Sequence, residues 1–285
     1  PRARCRGRRR ERTSARCCCA LCARREGSAR TSSLGAFKFV PAHHREEAPN
    51  PPPTQGGGAA ASSGGHHAVM EVPVVDLTLP EAEAAALVRA ACESVGFFYV
   101  SHHAVDEALV AQHFGESRRF FSLPYEKKLE VLADKNNRGY TPMGEETLDP
   151  ARQVRGDTKE GYYIGREKLI PGEEGKPLHG PNQWPAGLPG WRETMEEYFE
   201  AMHTLGMRLL RLIALALGLE PEFFDSRFSS PMLFLRPLHY AAEASRPEDG
   251  VFAAGAHSDY GMLTILKTDE VPGLQILLGG GGGGE

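Results

Sequence analysis

Long apolar runs are missing from this chain of 285 residues. The longest candidate, around residues 209–219, is broken by Arg211 and Gly218 and falls short of the roughly 18–20 uninterrupted apolar residues of a membrane span. No transmembrane segment is expected. Cysteine is scarce where a disulfide framework would need it. Cys92 is the only cysteine after residue 69, so that part reads as the product of a reducing, cytoplasmic compartment. Net positive charge is lacking there too: 20 Lys and Arg stand against 33 Asp and Glu, which argues against nucleic acid as a main partner. With 41% hydrophobic and 25% charged residues, the composition is that of an ordinary soluble globular protein.

The first 69 residues differ from the rest. They carry 13 Lys and Arg against 4 Asp and Glu, and five of the six cysteines (Cys5, Cys17, Cys18, Cys19, Cys22). Their composition is Arg, Ser, Ala, Gly and Pro, with the run PNPPPTQGGG at 49–58 and little apolar periodicity. Such a segment cannot bury enough surface to offset its chain entropy, and it is expected to be a disordered basic leader. Three readings stay open: a leader that is not normally translated, an organelle transit peptide to plastid or mitochondrion, or an arm binding phosphates. The first is preferred because the chain begins at Pro1 and its first methionine is Met70. The cysteine cluster lacks a second CxxC at zinc-finger spacing and is not read as a metal site.

From Met70 onward the pattern predicts a mixed fold. Residues 72–77 read as a strand. Thr78 and Glu81 have capping-box spacing ahead of a helix that Gly96 stops, with Leu87, Val88, Ala91 and Val95 on one face. Residues 97–100 form a second apolar strand, a further helix follows Asp106, and Pro124 restarts a short one. Residues 126–190 read as loop-rich, with turn residues throughout. Trp191, Met195, Tyr198, Met202, Leu205, Leu209, Leu212 and Ala216 step alternately by four and three, predicting a helix of about 40 Å that ends at Gly218 and packs on a core. Short β-type runs follow at 232–235, 251–254, 262–266 and 274–278. Helices followed by successive strands indicate an α+β fold.

Within GAHSDYG (255–261), His257 and Asp259 stand two residues apart. On a strand, side chains at i and i+2 share a face, so an imidazole and a carboxylate would point together. Those are two of the three ligands of a two-His, one-carboxylate iron triad with open positions. Spacing does not settle the matter, because His-x-Asp arises by chance about 0.3 times in a chain of this composition, and a surface salt bridge or turn is its commoner meaning.

Several blocks carry a more specific signal: GFFYVSHHAV (96–105), FFSLPYEKK (120–128), RGYTPMGEETLD (138–149), GDTKEGYYIG (156–165), NQWP (182–185), LRPLHY (235–240) and GAHSDYGMLTILKTDEVPGLQIL (255–277). In this order they resemble the plant-type iron(II)/2-oxoglutarate dioxygenases, the isopenicillin N synthase-like family. The resemblance implies a double-stranded β-helix (jelly-roll) core behind a helical N-terminal region. It also implies Fe(II), 2-oxoglutarate and O2, with ascorbate as a supporting reductant, and oxidation of a small organic substrate. Carried over by position, His257 and Asp259 would be the first two iron ligands, and Tyr240 would help hold the 2-oxoglutarate carboxylate, the other reading of Tyr240 being a strand tyrosine half-buried against the sheet. His239 would point to the opposite face and is not counted as a ligand. His102 and His103 match a structural turn, and Lys159, Glu160 and Tyr162 fall in a block near the active-site rim, where loop anchoring is the expected role. Oligomeric state and substrate identity are not set by these residues.

The family pattern also has a second iron-binding His and an Arg-x-Ser pair several tens of residues beyond the His-x-Asp. The 26 residues after Asp259 contain no His and no Arg, and residues 274–278 run into Gly279 to Gly284, which cannot continue a barrel. The expectation is therefore a truncated dioxygenase with an incomplete core: a leader (1–69), the family's N-terminal region (70–185), a partial catalytic domain (186–278) and a glycine-rich tail (279–285). As given, such a chain would be catalytically inactive. The alternative is a non-enzymatic fragment acting as a binding protein.

Overall fold

The computed structural model describes residues 72–276 together with the backbone of a four-residue strand at 35–38. The rest of the expected leader, the glycine run and the end of the expected strand at 274–278 lie outside the described residues. In chain order the elements are β1 (Gly35–Lys38), β2 (Val74–Asp76), α1 (Glu81–Glu93), β3 (Phe98–Ser101), α2 (Glu107–Phe121), α3 (Tyr125–Leu129), β4 (Gly139–Thr141), β5 (Lys159–Gly165), α4 (Trp191–Ala216), β6 (Phe234–Leu235), β7 (Leu238–Tyr240), one 3-10 turn (Pro247–Asp249) and β8 (Thr264–Leu266). The class is α+β, as the order of the patterns indicates.

Two small sheets flank the helices. In one, the strand order is β2-β3-β1-β8, with β2 parallel to β3 and β1 antiparallel to both β3 and β8. In the other, β5 pairs antiparallel with β4, β6 and β7. The pair β6 and β7 is interrupted at Arg236-Pro237, where the Tyr162 N–H still reaches the Pro237 carbonyl at 3.0 Å.

Helix α4 is the spine that three hydrophobic clusters share. Its first turns put Trp191 and Met195 among Phe120, Tyr140, Tyr162 and Ile164, while Leu205, Leu209, Leu212 and Ile213 pack with Val75, Val88, Phe98 and Val100. The stripe read from the sequence is therefore core-facing, and it is wider than expected because Phe199, Leu210 and Ala214 are buried as well. Gly218 ends the helix in the left-handed conformation (φ +71°). The Leu219 N–H bonds the Ala214 carbonyl at 2.9 Å and the Gly218 N–H bonds that of Leu215 at 2.9 Å, the two bonds of a Schellman cap.

Three local expectations are corrected. Thr78 does not cap α1: its hydroxyl and N–H both go back to Asp76 Oδ1, at 2.7 and 2.8 Å, and Pro80 takes the N-cap position. The acceptor two residues upstream outcompetes the capping box. The loop-rich stretch at 126–190 contains β4 and the seven-residue β5, the longest strand among the described residues. The β-type runs after 240 yield little sheet. Val251 forms only a bridge with Arg246, residues 274–276 are not strand, and only Thr264–Leu266 pairs, against β1. A strand exists only where a neighbour completes its ladder.

Between α2 and α4, His113 is buried with its ring stacked on Tyr198, the centroids 4.0 Å apart. Burial pushes its pKa down to about 4 from an ordinary 6.5. Between these values the unfolded imidazole binds a proton and the folded one does not. Stability is therefore whole above about pH 6.5 and falls as pH drops towards 4, by up to about 3 kcal/mol. His113→Phe is expected to flatten the pH dependence of urea unfolding across that window. An unchanged slope would show that His113 is not the group responsible.

Candidate active site

The platform of the site is β5. Alternation along KEGYYIG divides Lys159, Gly161 and Tyr163 from Glu160, Tyr162 and Ile164. Tyr162 and Ile164 join the aromatic core with Phe120, Tyr140 and Trp191. Glu160 enters the same buried face and is satisfied there: Lys128 Nζ donates to it at 2.6 Å and the Tyr140 hydroxyl at 2.5 Å, and His239 Nδ1 lies at 2.8 Å. Burial alone would raise the Glu160 pKa, but the bonds from Lys128, Tyr140 and His239 together hold it below the usual carboxylate range. Lys159, Glu160 and Tyr162, expected near the active-site rim with loop anchoring as their role, lie in a buried strand. His239 is turned towards Glu160 and stacks on Phe121 at 5.6 Å.

The opposite face of β5 carries a second set of charges. Lys159 Nζ is ion-paired with Asp157 and, at 3.2 Å, with Glu146, and Arg236 meets Glu146 at 2.5 Å. The Tyr163 hydroxyl donates to Glu146 at 3.1 Å, and the Arg236 guanidinium lies 4.2 Å from the centre of the Tyr163 ring. Burial pushes the Glu146 pKa up, and the contacts with Arg236 and Lys159 outweigh it to keep the group anionic. Tyr240 sits opposite Lys159 in the β5–β7 register and is 46% exposed. Its pKa is raised, chiefly because part of the phenol is buried; Arg236 pulls it down while Asp157, Glu146 and Asp259 push it up. Tyr240 thus shares its surroundings with the carboxylate of the His-x-Asp loop.

His257 and Asp259 lie in irregular backbone between the Val251 bridge and β8, not on a strand as expected. They nevertheless converge, with His257 Nε2 standing 3.1 Å from Asp259 Oδ1. His257 Nδ1 lies 2.8 Å from the Gly255 carbonyl oxygen. A carbonyl accepts only, so Nδ1 carries a hydrogen, and Nε2, which faces the Asp259 carboxylate, is the nitrogen that would turn to a metal placed between the two. Two ligand atoms with bonds of about 2.1 Å on adjacent corners of an octahedron stand about 3.0 Å apart. The imidazole–carboxylate pair therefore fits two neighbouring positions on one iron ion. Among the described residues, no group of three His, Cys, Asp or Glu could hold a metal.

Sequence reasoning missed what anchors this loop. The Asp157 carboxylate is fully buried and its Oδ1 accepts the Gly255 N–H at 3.0 Å. Gln153 supports it, with Nε2 donating to the same oxygen at 2.8 Å and Oε1 accepting the Asp149 N–H at 2.6 Å. The only signal available was the Asp and Lys of GDTKEGYYIG beside a β-type Tyr-Tyr-Ile run. His102 and His103 take the structural roles expected of them. His102 (φ +52°) pairs with Asp76 at 2.9 Å, and His103 Nδ1 accepts the Val105 N–H at 3.1 Å.

Residues 72–187 match a family model described as the N-terminal region of the non-haem dioxygenases in morphine synthesis. The 2-oxoglutarate-dependent dioxygenase caaD of Aspergillus niger is 37% identical over 212 residues, which cover 70% of this chain and 64% of that protein. Clavatol oxidase claD of Penicillium crustosum is 35% identical over 234 residues, covering 72% and 68%. A solved full-length protein of Neurospora crassa, in complex with alpha-KG and thymine, is similar with a TM-score of 0.51 at 32% identity, covering 61% and 57%. The chain spans 64–65% of the length of three of its curated relatives. No helix among the described residues is long and apolar enough to cross a membrane. By its N-terminal region, its curated relatives and its structural likeness, the chain belongs to the 2-oxoglutarate- and iron(II)-dependent dioxygenases.

Proposed function

We propose that this protein oxidises a small organic molecule at an iron(II) centre, with 2-oxoglutarate and O2 as co-substrates, and that His257 and Asp259 are two of the iron ligands. The observation carrying the proposal is the 3.1 Å approach of His257 Nε2 to Asp259 Oδ1, with Nδ1 engaged by the Gly255 carbonyl. When bound, the iron supplies the oxidising chemistry and a docking point for the keto acid. The protein does the rest. His257 would present Nε2 to the metal, its Nδ1–H held by the Gly255 carbonyl, and Asp259 would contribute a negative charge. Tyr240, beside Lys159 and within the field of Asp259, offers a hydroxyl to the 2-oxoglutarate carboxylate. The solved relative with alpha-KG and thymine supports a small-molecule substrate.

The test is binding before turnover. With Fe(II) under nitrogen, the full chain is expected to bind 2-oxoglutarate in equilibrium dialysis only when metal is present, and Tyr240→Phe to weaken that binding. Metal-independent binding, or none, overturns the reading. For the 285 residues by themselves we further propose that succinate does not form above a metal-only blank when Fe(II), 2-oxoglutarate, ascorbate and air are supplied. Succinate that disappears in Asp259→Ala would contradict that second statement and strengthen the first.

A further inference from the structure

A short path of contacts runs from the Lys159 face of β5 to the candidate ligand. Lys159 is ion-paired with Asp157, whose Oδ1 accepts the Gly255 N–H at 3.0 Å, and the Gly255 carbonyl accepts from His257 Nδ1 at 2.8 Å. Asp157 lies 98 residues from the glycine it holds. The approach at Gly255 is close enough to require glycine. A Cβ there would stand 2.3 Å from Gln153 Oε1 and 2.8 Å from both the backbone nitrogen and Cβ of Asp149. Both oxygens of Asp157 are engaged, one by Gly255 and Gln153 and the other by Lys159, so the carboxylate is itself fixed.

We propose that Asp157 is a positioning residue for metal capture. It pins the Gly255 backbone, and the pinned carbonyl holds the His257 ring in the tautomer and orientation that present Nε2 beside the Asp259 carboxylate. The proposal rests on the reading of His257 and Asp259 as metal ligands. Outer contacts that orient a ligating histidine typically change metal affinity by about 10–100-fold. The simpler role for Asp157, a counterion that lets Lys159 be buried, makes no demand on the loop. Gly255→Ala separates the two, because the added methyl drives the loop off Asp157 and leaves every charge in place.

The experiment is calorimetric titration of the full chain with Co(II), a redox-stable probe, with folding of each variant followed by far-UV circular dichroism. Asp157→Asn and Gly255→Ala are each expected to weaken binding by about 10–100-fold. Glu160→Gln, which disturbs the buried charges on the other face of β5, is expected to leave it unchanged, and His257→Ala to abolish it. If His257→Ala loses the metal while Asp157→Asn and Gly255→Ala bind like the unaltered chain, the positioning role falls and the ligand reading stands. Equal weakening by Glu160→Gln also overturns the positioning role. If the unaltered chain shows no saturable binding, or His257→Ala binds as well, both fall. Should Asp157→Asn fail to fold, Gly255→Ala decides alone.

Discussion

Glu160→Ala is expected to destabilise the protein by about 3–5 kcal/mol, the range seen when one partner of a buried ion pair is removed. The Lys128 and Glu160 side chains are only 9% and 4% exposed. Without the carboxylate, the Lys128 ammonium keeps one bond, to the Phe121 carbonyl at 3.2 Å, and the Tyr140 hydroxyl and His239 Nδ1 lose their partner. Lys128→Met combined with Glu160→Leu should recover much of the loss, because the desolvation cost disappears with the charges. Urea unfolding above pH 6 is the measurement, where Glu160 is ionised in both states. A loss below about 1 kcal/mol for Glu160→Ala would mean that water reaches this pair freely. Since the bonded carboxylate titrates below its unfolded value, its contribution is complete above the unfolded pKa and disappears as pH falls through the folded one.

Trp191→Ala is expected to cost about 3–5 kcal/mol, the range for deleting a large aromatic from a core. Trp191 is 1% exposed at the first turn of α4 and lies 5.0 Å from the Tyr162 ring, 5.5 Å from Phe120 and 5.9 Å from Trp184. Its Nε1 donates to the Glu116 carbonyl at 3.1 Å, tying α4 to α2. The cavity would open directly beneath β5, so the loss should reach the site as well as the fold. Trp191→Phe keeps most of the apolar volume and should cost clearly less. Chemical denaturation of the two variants checks this, and equal costs would argue that the indole hydrogen bond, not volume, is what matters.

What could be read from the sequence follows from how local each cause is. Helix α4 was legible because its stripe, its glycine stop and its length are all properties of one segment. Strand β5 was not: Lys159 and Glu160 break the apolar pattern, and the groups that permit their burial come from positions 128, 140, 146, 157 and 239. The same limit hid Asp157, whose partner is 98 residues away. His257 and Asp259 were legible as a spacing and wrong in their setting. They meet across irregular backbone held from outside, where a strand with side chains alternating along it was expected. Thr78 shows the opposite failure, a local motif defeated by a still more local acceptor in Asp76.

The claim on which all else depends is that His257 and Asp259 bind one metal ion together. The direct measurement is anaerobic calorimetric titration of the full chain with Fe(II), beside His257→Ala and Asp259→Ala. The expected result is a single saturable site in the unaltered chain, with each substitution weakening it by more than the roughly 10–100-fold that follows loss of an outer contact. Affinity unchanged in either variant would show that the 3.1 Å pair is an ordinary ion pair and that the metal, if bound, is held elsewhere.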